Sequence, residues 1–296
     1  RPVLSAPMTE PQLPATDDGD DPPDNASAPR KDPYWVDALA QGLSVLEAFD
    51  CEQPSLTLTE LAQRLGWSRS KPYRFVHTLE KLGFLEREEV GRRYRLTAHA
   101  MKLGFAYLNR LPLVELAQPI MNRLRTEVGA SVHMAILDRD ELVYVAQARI
   151  PLPTSIDIHV GSRMPPHSSS IGRILLAYKP QADIARILDS APIPALTEKS
   201  TVDPAAFRAL LDTARERGYV YNDEEFHRGV RSIAAPVLNA QGEVVAGLNA
   251  TSMIYTFTDE VVAGTVIPAV VRAARELSLA LGYREPTRDR PGGISA

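Results

Sequence analysis

Cysteine is nearly missing from this 296-residue chain, where Cys51 is the only one. A lone thiol excludes an internal disulfide framework and fits a reducing cytoplasm, where it serves most often as a small apolar residue. Long hydrophobic runs are missing too. Stretches such as VVAGTVIPAVV, from Val261, are broken by Gly and Pro and fall short of the roughly 20 residues a membrane helix needs. The N-terminus lacks a basic segment followed by an apolar run and a small-residue cleavage site, so no secretory signal is expected. A G-x-S-x-G elbow is absent, and His133, His159, His167 and His227 show no metal-ligand spacing.

What is there suffices for a soluble globular protein. Apolar residues make up 44% of the chain and charged residues 24%, and 296 residues allow two domains with separate cores. The formal net charge is -4. Residues 1–33 combine Pro, Asp, Ala and Ser with few large apolar side chains, so a disordered tail is expected there, with Met8 a candidate start. Its acidity tells against a DNA-binding arm. Residues 285–296, rich in Arg, Pro and Gly, are expected to fray.

From Val36 the periodicity is helical, with Val36, Leu39, Leu43, Leu46 and Phe49 on one face. Thr57 followed by Glu60 reads as a capping box opening a second helix that ends at Gly66. A third is expected after Ser68 as N-cap, with Phe75, Val76, Leu79 and Leu82 inward and Gly83 as its stop. Pro72 is tolerated in the first turn, where its missing N–H costs little. FLEREE, VGR and RYRLT then alternate around a Gly-containing turn, as a hairpin does. Three helices and a two-stranded ribbon over residues 34–97 make a winged helix-turn-helix.

Residues 64–102 carry ten Lys and Arg against four Glu, a local charge of +6 in a chain that is negative overall. A recognition helix reads the major groove with its N-terminal residues while a wing touches flanking phosphates. The candidate DNA contacts are therefore Ser68, Arg69, Ser70, Lys71, Tyr73 and Arg74 on the helix, with Arg92 and Arg93 on the wing. A merely solvated basic face is the plainer alternative, and the helix-turn-helix spacing beside a wing argues against it.

Residues 98–112 read as a linker helix and 113–284 as a second domain. An amphipathic helix runs from Leu113 to Val128. SVHMAILD, ELVYVAQA, TSIDIHV, SIAAPVLN and EVVAGLNAT read as strands with turns at DRD and NAQG, and helices are expected near 171–178, 181–189, 203–217 and 258–281. Strands joined by tight turns pair antiparallel, so an α+β domain follows, its sheet flanked by helices on one or both faces. HSSS at His167–Ser170 sets hydroxyls beside an imidazole, but adjacency in sequence is not a triad. Because it leads into IGRILLAY, it reads better as a helix N-terminus, capped by Ser168 or Ser169, whose free amides suit a carboxylate. Asp223, Glu224 and Glu225 read as a solvated or turn-stabilising loop rather than metal ligands, and His133 as a sheet histidine. No catalytic residue, metal or cofactor is expected.

LTELAQRLGWSRSKPYRFVHTLEKLGFLE, followed by VGSRMPPHSSSIGRILLA, GYVYNDEEFHRGVRSIAAPVLNAQGEVVAGLNAT and a closing AARELSLALG, resembles the IclR family of bacterial transcriptional regulators over about residues 36–283. GVRSIAAPV and AGLNAT, with GR after the serine run, are similar to the branch that regulates aromatic-acid catabolism through protocatechuate and the β-ketoadipate pathway. The resemblance implies a GAF-like effector-binding domain, a double-stranded DNA operator, a small carboxylate effector and a homodimer or dimer of dimers. It carries the effector contacts onto the amides of Ser170 and Ile171 and onto Asn222, Ser232 and Asn249, where the family commonly has Asp, Cys and Ser. An amide in place of a carboxylate removes a negative charge and favours an anionic ligand. Arg231 is expected on the other face of its strand, leaving Arg163 or Arg173 as an equally good charge partner. A regulator answering to a different small acid, and a hydrolase built on the serine run, are the competing readings.

Overall fold

The computed structural model describes residue 32 and residues 34–50, 53–150, 158–190 and 193–284. Cys51, nearly all of the expected N-terminal tail, the C-terminal residues 285–296 and the first four residues of TSIDIHV lie outside that set. The chain divides into two compact units between His99 and Ala100, within the expected linker helix. No helix among the described residues is long and apolar enough to cross a membrane.

The first unit contains α1 (Asp37–Glu47), β1 (Ser55–Leu56), α2 (Leu58–Arg64), α3 (Lys71–Lys81), β2 (Leu85–Arg87) and β3 (Tyr94–Leu96). The capping box closes α2 as its sequence dictates. Glu60 N donates to Thr57 Oγ1 at 3.2 Å, and Thr57 N donates to Glu60 Oε2 at 2.7 Å. Gly66 follows at φ +64°, a conformation that costs glycine little. Val45, Phe49, Leu56, Leu61, Val76, Leu79, Leu85 and Tyr94 form the core.

Three details differ from the periodicity. Leu39 and Leu43 are 63% and 48% exposed, and Val36 is exposed too, because burial is confined to Val45 in the last turn of α1 and to Ala48 and Phe49 just beyond it. Ser68 is not the cap of α3: its carbonyl accepts from Lys71 N in a preceding turn, and Ser70 occupies the N-cap without a side-chain hydrogen bond. Leu82 ends the helix and is exposed. The ribbon also gains a third strand, since β1 pairs with β3 through Ser55 opposite Arg95, in the order β1-β3-β2. Two residues are too few to show a period.

The second unit begins with α4 (Met101–Leu108) and α5 (Pro112–Val128), then β4 (Ser131–Asp138), β5 (Glu141–Ala148) and β6 (Arg163–Met164). Helices α6 (Ser170–Ala177), α7 (Gln181–Ser190) and α8 (Pro204–Arg217) precede β7 (Val220–Asp223), β8 (Val230–Leu238) and β9 (Val244–Met253). A short α9 (Asp259–Val261) leads through a π-helical turn into α10 (Ile267–Ala280). The six strands form one antiparallel sheet in the order β6-β5-β4-β9-β8-β7. Residues 158–160, the described end of TSIDIHV, are not strand, and the edge is supplied instead by β6.

Helices cover both faces. Met121 and Leu124 of α5 and Val270 and Leu277 of α10 pack with Val132, Met134, Ile233 and Leu248 of the sheet. Ile171 and Ile174 of α6 and Phe207 of α8 pack with Ala135, Tyr144 and Ala234 on the opposite side. Burial on both faces explains why β4, β5, β8 and β9 read as nearly continuous apolar runs. Gly247 on β9 lets α6 lie close, because a Cβ there would stand 2.6 Å from Ile171 Cγ2.

Candidate DNA-reading surface and effector cavity

Ser68, Arg69, Ser70, Tyr73 and Arg74 are exposed around the start of α3, opposite the side formed by Val76 and Leu79. His77, outside the expected set of DNA contacts, lies on the same exposed surface and stacks on Tyr73 with ring centroids 6.0 Å apart. Lys71 is half-buried, its Nζ 4.5 Å above the Trp67 ring. Arg69, Lys71, Arg74 and Arg92 make no ion pair among the described residues.

The two wing arginines part company. Arg92 is exposed at φ +53° beside Gly91, at the hairpin tip. Arg93 turns back on its own unit. Its Nε donates to Ser55 Oγ at 2.9 Å, one Nη donates to the Ser55 carbonyl at 2.7 Å, and the guanidinium pairs with Glu60 at 3.0 Å. Glu60 is held below the usual carboxylate range, chiefly by the Thr57 backbone N–H it accepts, with Arg93 contributing.

In the second unit a small cavity, about 20 Å³, is lined by Tyr144, Ile158, Ser169, Ser170, Asn222, Phe226, Val230, Ser232, Asn249 and Thr251. Sheet register builds one wall: Asn222 stands opposite Ser232, and Ser232 opposite Thr251. Ser169 caps α6 by accepting from Gly172 N at 3.0 Å. A Cβ on Gly172 would lie 1.9 Å from the Pro166 carbonyl oxygen, so only glycine lets the loop before α6 fold so tightly against it.

Four of the five expected effector contacts thus line one cavity. The fifth, Ile171, does not line it, and its side chain is fully buried against Gly247 of β9. Its amide and that of Ser170 occupy the first turn of α6, where no intrahelical acceptor exists. Asn222 Oδ1 accepts from Glu225 N at 3.2 Å, while its Nδ2 is buried with no partner. Asn249 is saturated. Its Oδ1 lies 3.2 Å from both the His133 backbone N, which can only donate, and His133 Nδ1, and its Nδ2 donates to Ser170 Oγ and Thr251 Oγ1 at 3.3 and 3.0 Å. His133 is pushed down to about 4 by burial, against the opposing effect of its Asn249 hydrogen bond.

Tyr144, Ser169, Phe226 and Thr251 are additions to the expected set. Thr251 could have been found two residues after Asn249 on the same face of a strand. The arginines named as charge partners are engaged elsewhere: Arg163 with Asp138 and Glu141 on the surface, and Arg173 with Glu225 at 2.8 Å and with the His167 carbonyl. Arg231 does point to the other face, onto Asp223 and Asp259. The serine run holds no nucleophile pair. Ser168 donates to Pro165 O, Ser169 caps α6, Ser170 accepts from Asn249, and neither ring nitrogen of His167 has a hydrogen-bond partner. Asp223 and Glu224 both pair with Lys199, so the acidic loop is cross-linked by ion pairs, and no metal-ligating cluster occurs among the described residues.

Residues 38–89 match the IclR helix-turn-helix domain, and residues 105–279 match the bacterial transcriptional regulator IclR C-terminal domain. The chain belongs to the IclR family. It is 34% identical over 247 residues to the Pca regulon regulatory protein of Pseudomonas putida, covering 83% of this chain and 84% of that relative. It is 30% identical to the HTH-type transcriptional regulator KdgR of Escherichia coli, covering 86% and 96%. Among solved structures, an IclR homolog complexed with 4-hydroxybenzoate from Microbacterium hydrocarbonoxydans superposes with a TM-score of 0.73 at 26% identity, over 82% of this chain and 98% of that one. This IclR-family chain is a transcriptional regulator with a DNA-binding helix-turn-helix, not an enzyme.

Proposed function

We propose that this chain is an effector-responsive regulator of aromatic-acid catabolism, whose α3 and wing read operator DNA and whose sheet-and-helix cavity takes a small carboxylate. The observation that carries the effector reading is that Ser170, in the first turn of α6, and Asn222, whose Nδ2 is buried without a partner, line one cavity. The first-turn amides and the positive end of a helix suit an anionic group. The aromatic choice is supported by the likeness to the Pca regulon protein and to the homolog complexed with 4-hydroxybenzoate, and by Tyr144 and Phe226 among the lining residues. The equally broad likeness to KdgR favours, as second reading, a regulator answering to another small acid.

On this reading Ser68, Arg69, Ser70, Lys71, Tyr73 and Arg74 meet the major groove, and Arg92 meets a flanking phosphate. Reading two half-sites at fixed spacing requires a second copy, so the working species is a homodimer or a dimer of dimers, acting in the cytoplasm. The ligand alters DNA affinity by binding one arrangement of the two units better than another. The test is a mobility-shift titration on DNA upstream of neighbouring genes, with and without protocatechuate, 4-hydroxybenzoate and β-ketoadipate. A shift in operator affinity with one of these acids is expected, and a response only to unrelated acids would move the assignment to the second reading.

A further inference from the structure

The cavity offers room for one negative charge. None of its lining side chains is a Lys, Arg, His, Asp or Glu. The cations nearest in the chain are committed: Arg173 to Glu225, Arg228 to Glu198, and Arg231 to Asp223 and Asp259. His133 stands behind Asn249 and is uncharged at neutral pH, and burial raises Tyr144 to about 12, so neither contributes a charge.

Two sites for ligand atoms remain, and they differ in kind. The first turn of α6 presents the Ser170 and Ile171 amides with the positive end of an eight-residue helix, which suits a carboxylate. Asn222 Nδ2 is a neutral donor, 2% exposed as a residue and without a partner, and it is satisfied by a hydroxyl or carbonyl oxygen. Asn222 is separated from Thr251, which shares Asn249 Nδ2 with Ser170 at the head of α6, by two strand spacings, roughly 10 Å, so the two sites stand on different walls of the cavity. A second carboxylate at Asn222 would lose its hydration and gain one neutral hydrogen bond, which does not offset the cost of burying a charge.

We propose that the cavity selects monocarboxylates whose far end is a neutral hydroxyl or carbonyl, and discriminates against dicarboxylates of the same size. The inference rests on the cavity being the effector site, so the experiment separates the two. Calorimetry on the full chain would compare 4-hydroxybenzoate with terephthalate, which carries a second carboxylate in place of the hydroxyl, and 5-oxohexanoate with glutarate, in which a carboxylate replaces the methyl ketone. In at least one pair the monoacid is expected to bind roughly 100-fold more tightly or better than its diacid. The substitution Asn222→Lys, which supplies a cation, is expected to narrow or invert that preference. Diacids binding wild type within a few-fold of the monoacids would overturn the charge limit while leaving the effector site standing. No binding by any of the four acids, nor by protocatechuate or β-ketoadipate, would sink the aromatic-acid effector reading on which the inference rests. The wild-type comparison decides between these outcomes even where the Lys variant does not fold.

Discussion

Asn249 on β9 and Ser170 at the head of α6 are joined by a hydrogen bond of 3.3 Å, which fixes the helix N-terminus to the sheet across the cavity. Every hydrogen-bonding position of Asn249 is filled by protein, so it acts through Ser170 and Thr251 rather than by a free group of its own. Replacing Asn249 by Ala strands the buried His133 ring and backbone N–H, at a cost of about 1–3 kcal/mol. Urea denaturation should show the lower midpoint at an unchanged slope, together with weaker acid binding. An unaltered midpoint would mean that the network contributes nothing to stability.

The wing arginines should separate by experiment. Arg92→Ala is expected to lower affinity for all DNA sequences alike and to reduce the salt slope by about one unit. Arg93→Ala should instead loosen the α2 capping box and β1, costing about 1 kcal/mol or less of stability because the ion pair is partly exposed. Arg74→Ala, on the exposed side of α3, should cost about 1–3 kcal/mol on the specific operator and far less elsewhere. Mobility shifts at several salt concentrations with specific and random DNA would settle all three; equal salt slopes for both wing variants would contradict the division.

Legibility in the sequence followed the range of the interactions. The capping box of α2 spans three residues and the turns at DRD and NAQG are local, so both could be read directly. Asn222, Ser232 and Asn249 could be proposed from resemblance, but their assembly in one wall depends on the register of β7, β8 and β9, which no local period encodes. Tyr144 is brought in from β5, two strands from β9, and left no signal at all. Arg93 looked like a free cation because its partners, Ser55 and Glu60, lie 38 and 33 residues earlier. The exposed Leu39 and Leu43 show the converse: a helical stripe states which residues share a face, and packing decides how much of that face is covered.

Ser232→Leu is expected to abolish the ligand response and spare operator binding. Ser232 lines the cavity on the central row of its wall, between Asn222 and Thr251, so a leucine there fills ligand volume as well as removing a hydroxyl. Loss of the hydroxyl alone would cost only about 0.5–1.5 kcal/mol, which Ser232→Ala measures. Calorimetry with 4-hydroxybenzoate on both variants distinguishes volume from hydrogen bonding, and equal heats for wild type and Ser232→Leu would place the site elsewhere.

Acid should weaken the second unit through His133. Its ring is held uncharged by burial, with the folded value near 4 against an ordinary 6.5, while the unfolded chain protonates at the ordinary value. Between those limits the unfolded state binds more protons, so stability is full above about pH 6.5 and is lost as pH falls toward 4. A gap of this size corresponds to roughly 3 kcal/mol at the acid end. Replacing His133 by Gln, which keeps a polar side chain beside Asn249 and does not titrate, should flatten the profile. Thermal unfolding of both forms from pH 7 to pH 4.5 measures the difference, and parallel profiles would show that the pH dependence arises from other groups.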